Sequence, residues 1–265
     1  MLQIRASMLP GWGDCPRRAA AKQYRADIER LGFALRQTMP TVGAAIGTAV
    51  HAGLHRLLEF KRDHGHVPEQ TDAVDCALAN FHTTVQEGVE WDETSRTPTI
   101  AVDQITRMTL AAKAIAETIT PILMESPFQS TAGDDCELTG TVDLVGACQT
   151  VIDAKTGVIQ RPHQAQLGAY ALLLEDHGHT IIAAKIAYIK RTAVGKPQDP
   201  VSWQSYAVMT CKRAAWSVIQ DIQERMQKFY ATSNPWQIPA NPMSMMCAGK
   251  FCPAHGTDFC ELGTR

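Results

Sequence analysis

Gly140-Thr-Val-Asp143 and Ile152-Asp-Ala-Lys155 are the segments that most narrow what this chain can fold into. Val142, Leu144, Val151 and Ile152 are β-branched or apolar, and residues 146–150 have turn composition, so the stretch reads as two adjacent strands. Antiparallel pairing across that turn brings Asp143 and Asp153 to one end of a sheet. Two carboxylates at one point suit a hard cation such as Mg2+ or Mn2+. Lys155 lies two positions past Asp153, so on a strand both side chains share a face. A lysine beside a metal-bound phosphate can orient water and neutralise developing charge. Alone, Asp-x-Lys is equally the composition of a solvated strand edge, so its meaning depends on the rest of the chain.

The remaining periodicity predicts helices over about 16–37 (capped by Asp14), 44–63, 70–88 and 100–125, then strands over 128–132, 136–146 and 150–155. A helix over 163–176, strands over 180–190 and 201–208, and a helix over 211–231 follow, before a tail rich in Pro, Met and Cys. The order predicts a single α/β domain over residues 1–265, with a central mixed sheet flanked by helices and a helical insertion at about 64–126. A net charge of −2 argues against a histone-like binder but leaves room for a local basic groove. Arg17, Arg18, Lys22 and Arg25, and then Lys185, Lys190, Arg191 and Lys196, are candidate patches or plain solvated faces. No run of about 18 apolar residues exists, and residues 1–13 lack a signal-peptide core, so no membrane association and a cytoplasmic location are expected. Cys76, Cys136, Cys148 and Cys211 lie in apolar segments and read as buried thiols.

Three further features join the carboxylates. His51 ends Gly47-Thr-Ala-Val-His51 on the second helix; His55 and Glu59 follow on the same face and permit a rival His-x3-His zinc pair. Gln166 and Tyr170 lie four apart on the helix after the Asp-x-Lys strand. Glu137 is a further acid on the Asp143 strand. The order Gly-x-x-x-His, Gly-x-x-Asp, Asp-x-Lys, Gln-x-x-x-Tyr resembles the RecB-type nucleases of the PD-(D/E)XK superfamily, the group of the CRISPR adaptation exonucleases and many phage exonucleases. Ser7-Met-Leu through Cys15-Pro-Arg17 also resembles that family's opening, so the likeness spans nearly the whole chain.

The resemblance implies a restriction-endonuclease-like core and a Mg2+- or Mn2+-dependent DNA exonuclease acting in repair, recombination or a phage. It implies that His51, Asp143, Asp153 and the Ala154 carbonyl hold the metal, that Lys155 positions the water, and that Gln166 and Tyr170 bind the DNA strand or orient the lysine. It also implies that Cys15 joins Cys247, Cys252 and Cys260, in a cluster at about 240–265, to hold a [4Fe–4S] cluster. The cysteine spacing is wider than the family's usual run, and a structural zinc site, with His255 able to replace one cysteine, is the rival. DNA, single-stranded or end-bearing duplex, is the expected partner. No Gly-x4-Gly-Lys-Ser/Thr loop is present, so any unwinding falls to a helicase or recombination partner. Two other classes stay open: a non-catalytic DNA-binding or assembly subunit that keeps the fold, and a redox or metal sensor in which the cluster is the function.

Overall fold

The computed structural model describes residues 1–68, 70–133 and 135–263. Its strands are β1 (Leu2–Arg5), β2 (Pro121–Thr131), β3 (Cys136–Gly146), β4 (Thr150–Gly157), β5 (Ala183–Lys190) and β6 (Ser202–Tyr206). The helices are α1 (Leu9–Asp14), α2 (Pro16–Gln23), α3 (Arg25–Arg30), α4 (Val42–His64), α5 (Gln70–Gln86), α6 (Pro98–Thr118), α7 (Gln164–Asp176) and α8 (Val208–Thr232).

β3 is the axis of the sheet. β2 runs antiparallel along one side of it, from Thr131↔Glu137 to Pro121↔Gly146. Two strands share the other side. β1 pairs parallel with its start, ending at Arg5↔Thr139, and β4 pairs antiparallel with its end, from Leu144↔Ile152. Residues 140–143 therefore have no ladder partner on that side, and the sheet opens there. β4 passes through α7 into the parallel strand β5, which pairs antiparallel with β6. The result is the mixed sheet between helices expected of an α/β chain.

Strand alternation sends Val151 to one face and Ile152 and Ala154 to the other. The first face packs with Leu167, Tyr170 and Leu174 of α7 and with Ile219, Ile222 and Met226 of α8. The second packs against Ile46, Val50 and Leu57 of α4 and Ile105, Met108 and Ile115 of α6. α4 forms where its apolar residues recur at helical spacing. Thr41 caps it by accepting from the Ala44 amide at 3.2 Å, and Gly65 ends it at a left-handed φ of 79°.

Several expected boundaries move. The helix expected over 16–37 is broken at Tyr24, and residues 33–40 are non-helical. Asp14 does not cap it: Cys15 is the N-cap without a side-chain bond, and Asp14 instead pairs with Arg18 at 2.7 Å. The helix expected to reach 125 stops at Thr118, because Pro121 disfavours helix at the residue before it and lacks an amide proton. β2 takes over at that proline, ahead of the expected 128. β1 and α1 were not expected at all; each is only 4 to 6 residues long.

The basic patches largely dissolve. Arg17 and Arg18 are 1% and 7% exposed. Arg17 donates to the carbonyls of Ile238 and Pro235, both at 2.8 Å, and so anchors the C-terminal tail. Arg191 is buried against Asp92 and Ser95, and Lys190 pairs with Asp199. The tail also meets the N-terminal third through a Phe33–Phe229–Phe259 ring cluster and an Arg36 amide bond to the Pro253 carbonyl. Cys136 and Cys211 are buried as expected, whereas Cys148 is exposed on the β3–β4 turn and Cys76 is partly exposed. No helix among the described residues is long and apolar enough to cross a membrane.

Candidate metal centre

The β3–β4 register, continued one step beyond Leu144↔Ile152, sets Asp143 opposite Asp153 at the lip of the opening. Asp143 Oδ2 accepts from the Ala154 amide at 3.2 Å. Asp153 has no solvent exposure. The Lys155 ammonium lies 2.9 Å from its Oδ1 and 2.7 Å from its Oδ2. The Oδ2 contact is close but not directed as a hydrogen bond, so that buried oxygen lacks a proper donor. A buried carboxylate oxygen in that state fits a bound cation.

α4 brings His51 from the opposite face. Its Nδ1 is 3.8 Å from Asp143 Oδ2. Gly47, one turn earlier, allows this approach: a Cβ there would lie 2.7 Å from Thr156 Oγ1 on β4. Gly140 does the same for α7, since its Cβ would sit 3.1 Å from Tyr170, Leu173 and Ala6. Both motif glycines are thus positions of close packing beside the site.

Glu125 is the residue that sequence reasoning missed. The pairs Met124↔Leu144 and Ser126↔Val142 set it opposite Asp143 across the β2–β3 pair. Ligand atoms of His51, Glu125 and Asp143 all lie within 4.8 Å of one another. Asp153, opposite Asp143 across the β3–β4 pair, interacts directly with the Asp143 carboxylate but is not in that group of three. The available signal was Pro121. Once it stops the helix, Glu125 falls on a strand that can pair with Gly140–Asp143.

Charge crowding perturbs each group. Burial pushes the Asp143 carboxyl up to about 6; Lys155 opposes this and Glu125 adds to it. Burial pushes Asp153 up to about 7, again opposed by Lys155 and helped by Asp143. Burial, then Lys155, lowers the His51 imidazole, which keeps it neutral and free to act as a ligand at pH 7. Glu125, exposed over much of its side chain, is raised by partial burial of its carboxyl and then by Asp153, against Lys155.

Gln166 and Tyr170 are both buried, and Gln166 Nε2 donates to the Tyr170 hydroxyl at 2.8 Å. Gln166 thus orients the tyrosine hydroxyl. Tyr170, Gly140 and Thr141 also line an open groove with Arg5, Phe128 and His177, in which Phe128 meets the rings of His177 and His179 at 5.0 and 6.1 Å. His163, just before α7, has a buried Nδ1 without a partner, and burial followed by Lys155 lowers its pKa. His55 lies 3.8 Å from Glu59 and lines the same small cavity as His51, Glu125 and Asp143, but is not one of the three residues whose ligand atoms converge within 4.8 Å. Glu137 accepts from Gln3 at the far end of β3 and takes no part. Cys15, Cys247, Cys252 and Cys260 line one cavity with Arg18 and His255.

The profile of the PD-(D/E)XK nuclease superfamily matches residues 6–257. No curated protein matches the chain. Among solved structures, a Eubacterium rectale protein named "Putative exonuclease" aligns over 92% of this chain and 86% of its own, with a TM-score of 0.56 and 8% identity. At that identity the likeness speaks for the fold alone. The structure named SSO0001 aligns over 80% of this chain and 87% of its own at 13% identity, but its TM-score of 0.30 carries no argument.

Proposed function

Because the chain belongs to the PD-(D/E)XK nuclease superfamily, we propose that it is a Mg2+- or Mn2+-dependent DNA exonuclease. The observation that carries this reading is the convergence of Asp143, Asp153, Lys155 and His51 where β1 and β4 part. A divalent cation bound there would supply Lewis-acid charge to a phosphoryl oxygen and would activate a water. His51, Asp143, Asp153 and the Ala154 carbonyl are the donors that would hold it. Lys155, fixed by Asp153, presents an ammonium to the attacking water and to charge developing on the phosphate. The groove beside Tyr170 offers Arg5 to a phosphate and the half-buried Phe128 to a nucleobase, which suits a single strand entering from an end.

The cysteine cavity supports a [4Fe–4S] cluster as a second, structural group. All four cysteines are free, and the buried Arg18 Nη1 beside them has no partner, which fits an anionic centre. Burial, and then the neighbouring sulfurs, raises the Cys247 thiol. Zinc would draw four thiolates to under about 4 Å of one another, from a Zn–S bond of about 2.3 Å. A [4Fe–4S] cluster also takes four thiolates, so the identity of the metal is what the test on protein purified without air decides. The contribution of either group is a cross-link between α2 and the tail.

The test is incubation of the full chain with end-labelled linear and circular DNA, single- and double-stranded, plus Mn2+. Shortening of linear substrates by the parent, and none by Asp153→Ala, is expected. Parent protein that binds these DNAs and cuts none, under Mg2+ or Mn2+, would leave a non-catalytic DNA-binding subunit as the function.

A further inference from the structure

We propose that Glu125 is a direct ligand of the bound cation, and that strain in its backbone is retained to deliver it. The proposal rests on reading the site as a divalent-cation centre. Three observations meet at this residue. It lies opposite Asp143, with a carboxylate oxygen within 4.8 Å of ligand atoms of both Asp143 and His51. It adopts φ 41°, a left-handed conformation that a non-glycine residue takes only when its surroundings over-determine it. Its neighbours Met124 and Ser126 stay in ordinary register with β3, so the pairing of β2 does not need the distortion. Among the described residues no hydrogen bond or ion pair holds the Glu125 carboxylate. It faces another carboxylate instead, an arrangement that repels itself until a cation is placed between them. Across β3, next to Asp143, the buried Asp153 Oδ2 lacks a directed donor. Together with His51, these oxygens form the mixed N/O set that Mn2+ and Mg2+ accept.

The experiment is a Mn2+ titration of the full chain at neutral pH, read by calorimetry and by the electron paramagnetic resonance signal of free Mn2+. Thermal melting without metal runs in parallel. Glu125→Gln and Glu125→Gly should each weaken Mn2+ binding at least tenfold, and the surface control Glu137→Gln should not. Glycine is at ease at φ 41°, so Glu125→Gly should melt above the parent without metal. Variants that bind Mn2+ within twofold of the parent overturn the ligand assignment. A glycine variant that melts below the parent overturns the strain argument. DNA cleavage by the parent, with Mn2+ affinity unchanged in Glu125→Gln, would sink this proposal and leave the nuclease reading intact. Loss of Mn2+ affinity in the variants of a parent that cuts no DNA would do the reverse. A parent that binds no Mn2+ would end both.

Discussion

The Lys155 ammonium lies within 2.9 Å of both carboxylate oxygens of Asp153, a residue with no solvent exposure. Removing one partner of a buried pair leaves the other charge uncompensated, at a cost of about 3 kcal/mol. Lys155→Ala should therefore reduce cleavage by about 100-fold or more and also lower the metal-free Tm. Saturating Mn2+ should raise the Tm of Lys155→Ala by more than it raises the parent's. Equal shifts in a melting assay would mean that Asp153 does not face the cation.

The two raised carboxyls predict a pH dependence. Asp143 and Asp153 titrate near 6 and 7 in the folded chain but near 3.9 when unfolded. The folded state therefore binds these protons more tightly. Its stability from them is complete below about pH 4 and is lost as pH rises through 6 to 7. Without metal, the Tm should fall between pH 5 and pH 8, and Asp153→Asn should flatten that fall. Adding Mn2+ at pH 8 should restore most of it. A metal-free Tm that rises over this range would contradict the shifts.

The groove beside Tyr170 makes a prediction about binding separate from chemistry. With Ca2+ in place of Mn2+, Phe128→Ala should weaken single-stranded DNA binding by about 5- to 100-fold, the usual range for one stacked base. Arg5→Ala should weaken it for all sequences and reduce the salt slope by about 1. Fluorescence anisotropy across a salt series reads both. If neither variant shifts the curve, the strand runs elsewhere.

Protein purified without air should be brown and hold about four irons per chain, as a four-thiolate cluster requires. Cys15→Ser should lose iron as fully as Cys252→Ser and should lower the Tm. Cys148→Ser, on an exposed turn away from the cavity, should change neither. Stoichiometric zinc without iron in the same preparation would replace the cluster with the rival metal.

The alternation in β3 and β4 was legible because each strand has one face in each core, so the pattern of apolar residues is strong. The same holds for α4, whose apolar stripe and terminal Gly65 mark its limits. β1 was not legible. It is 4 residues long, and its place in the sheet comes from pairing with residues more than 130 positions away. Glu125 was hidden for a different reason. Ile-Leu-Met after Pro121 suits a helix as well as a strand, and only the partner strand β3 decides between them. Arg17 and Arg18 looked like surface charge because nothing local reveals that distant carbonyls and an acid will receive them.

The anchoring of the tail by Arg17 has a consequence for how the chain is made. The guanidinium and the Ile238 carbonyl it binds are 221 residues apart. At about 5–20 residues per second, a ribosome needs roughly ten to forty seconds to supply that carbonyl after Arg17 has emerged. For that interval the surface of α2 waits uncovered. A chain cut anywhere before Ile238 would keep that surface uncovered for good, as a standing target for chaperones and proteases.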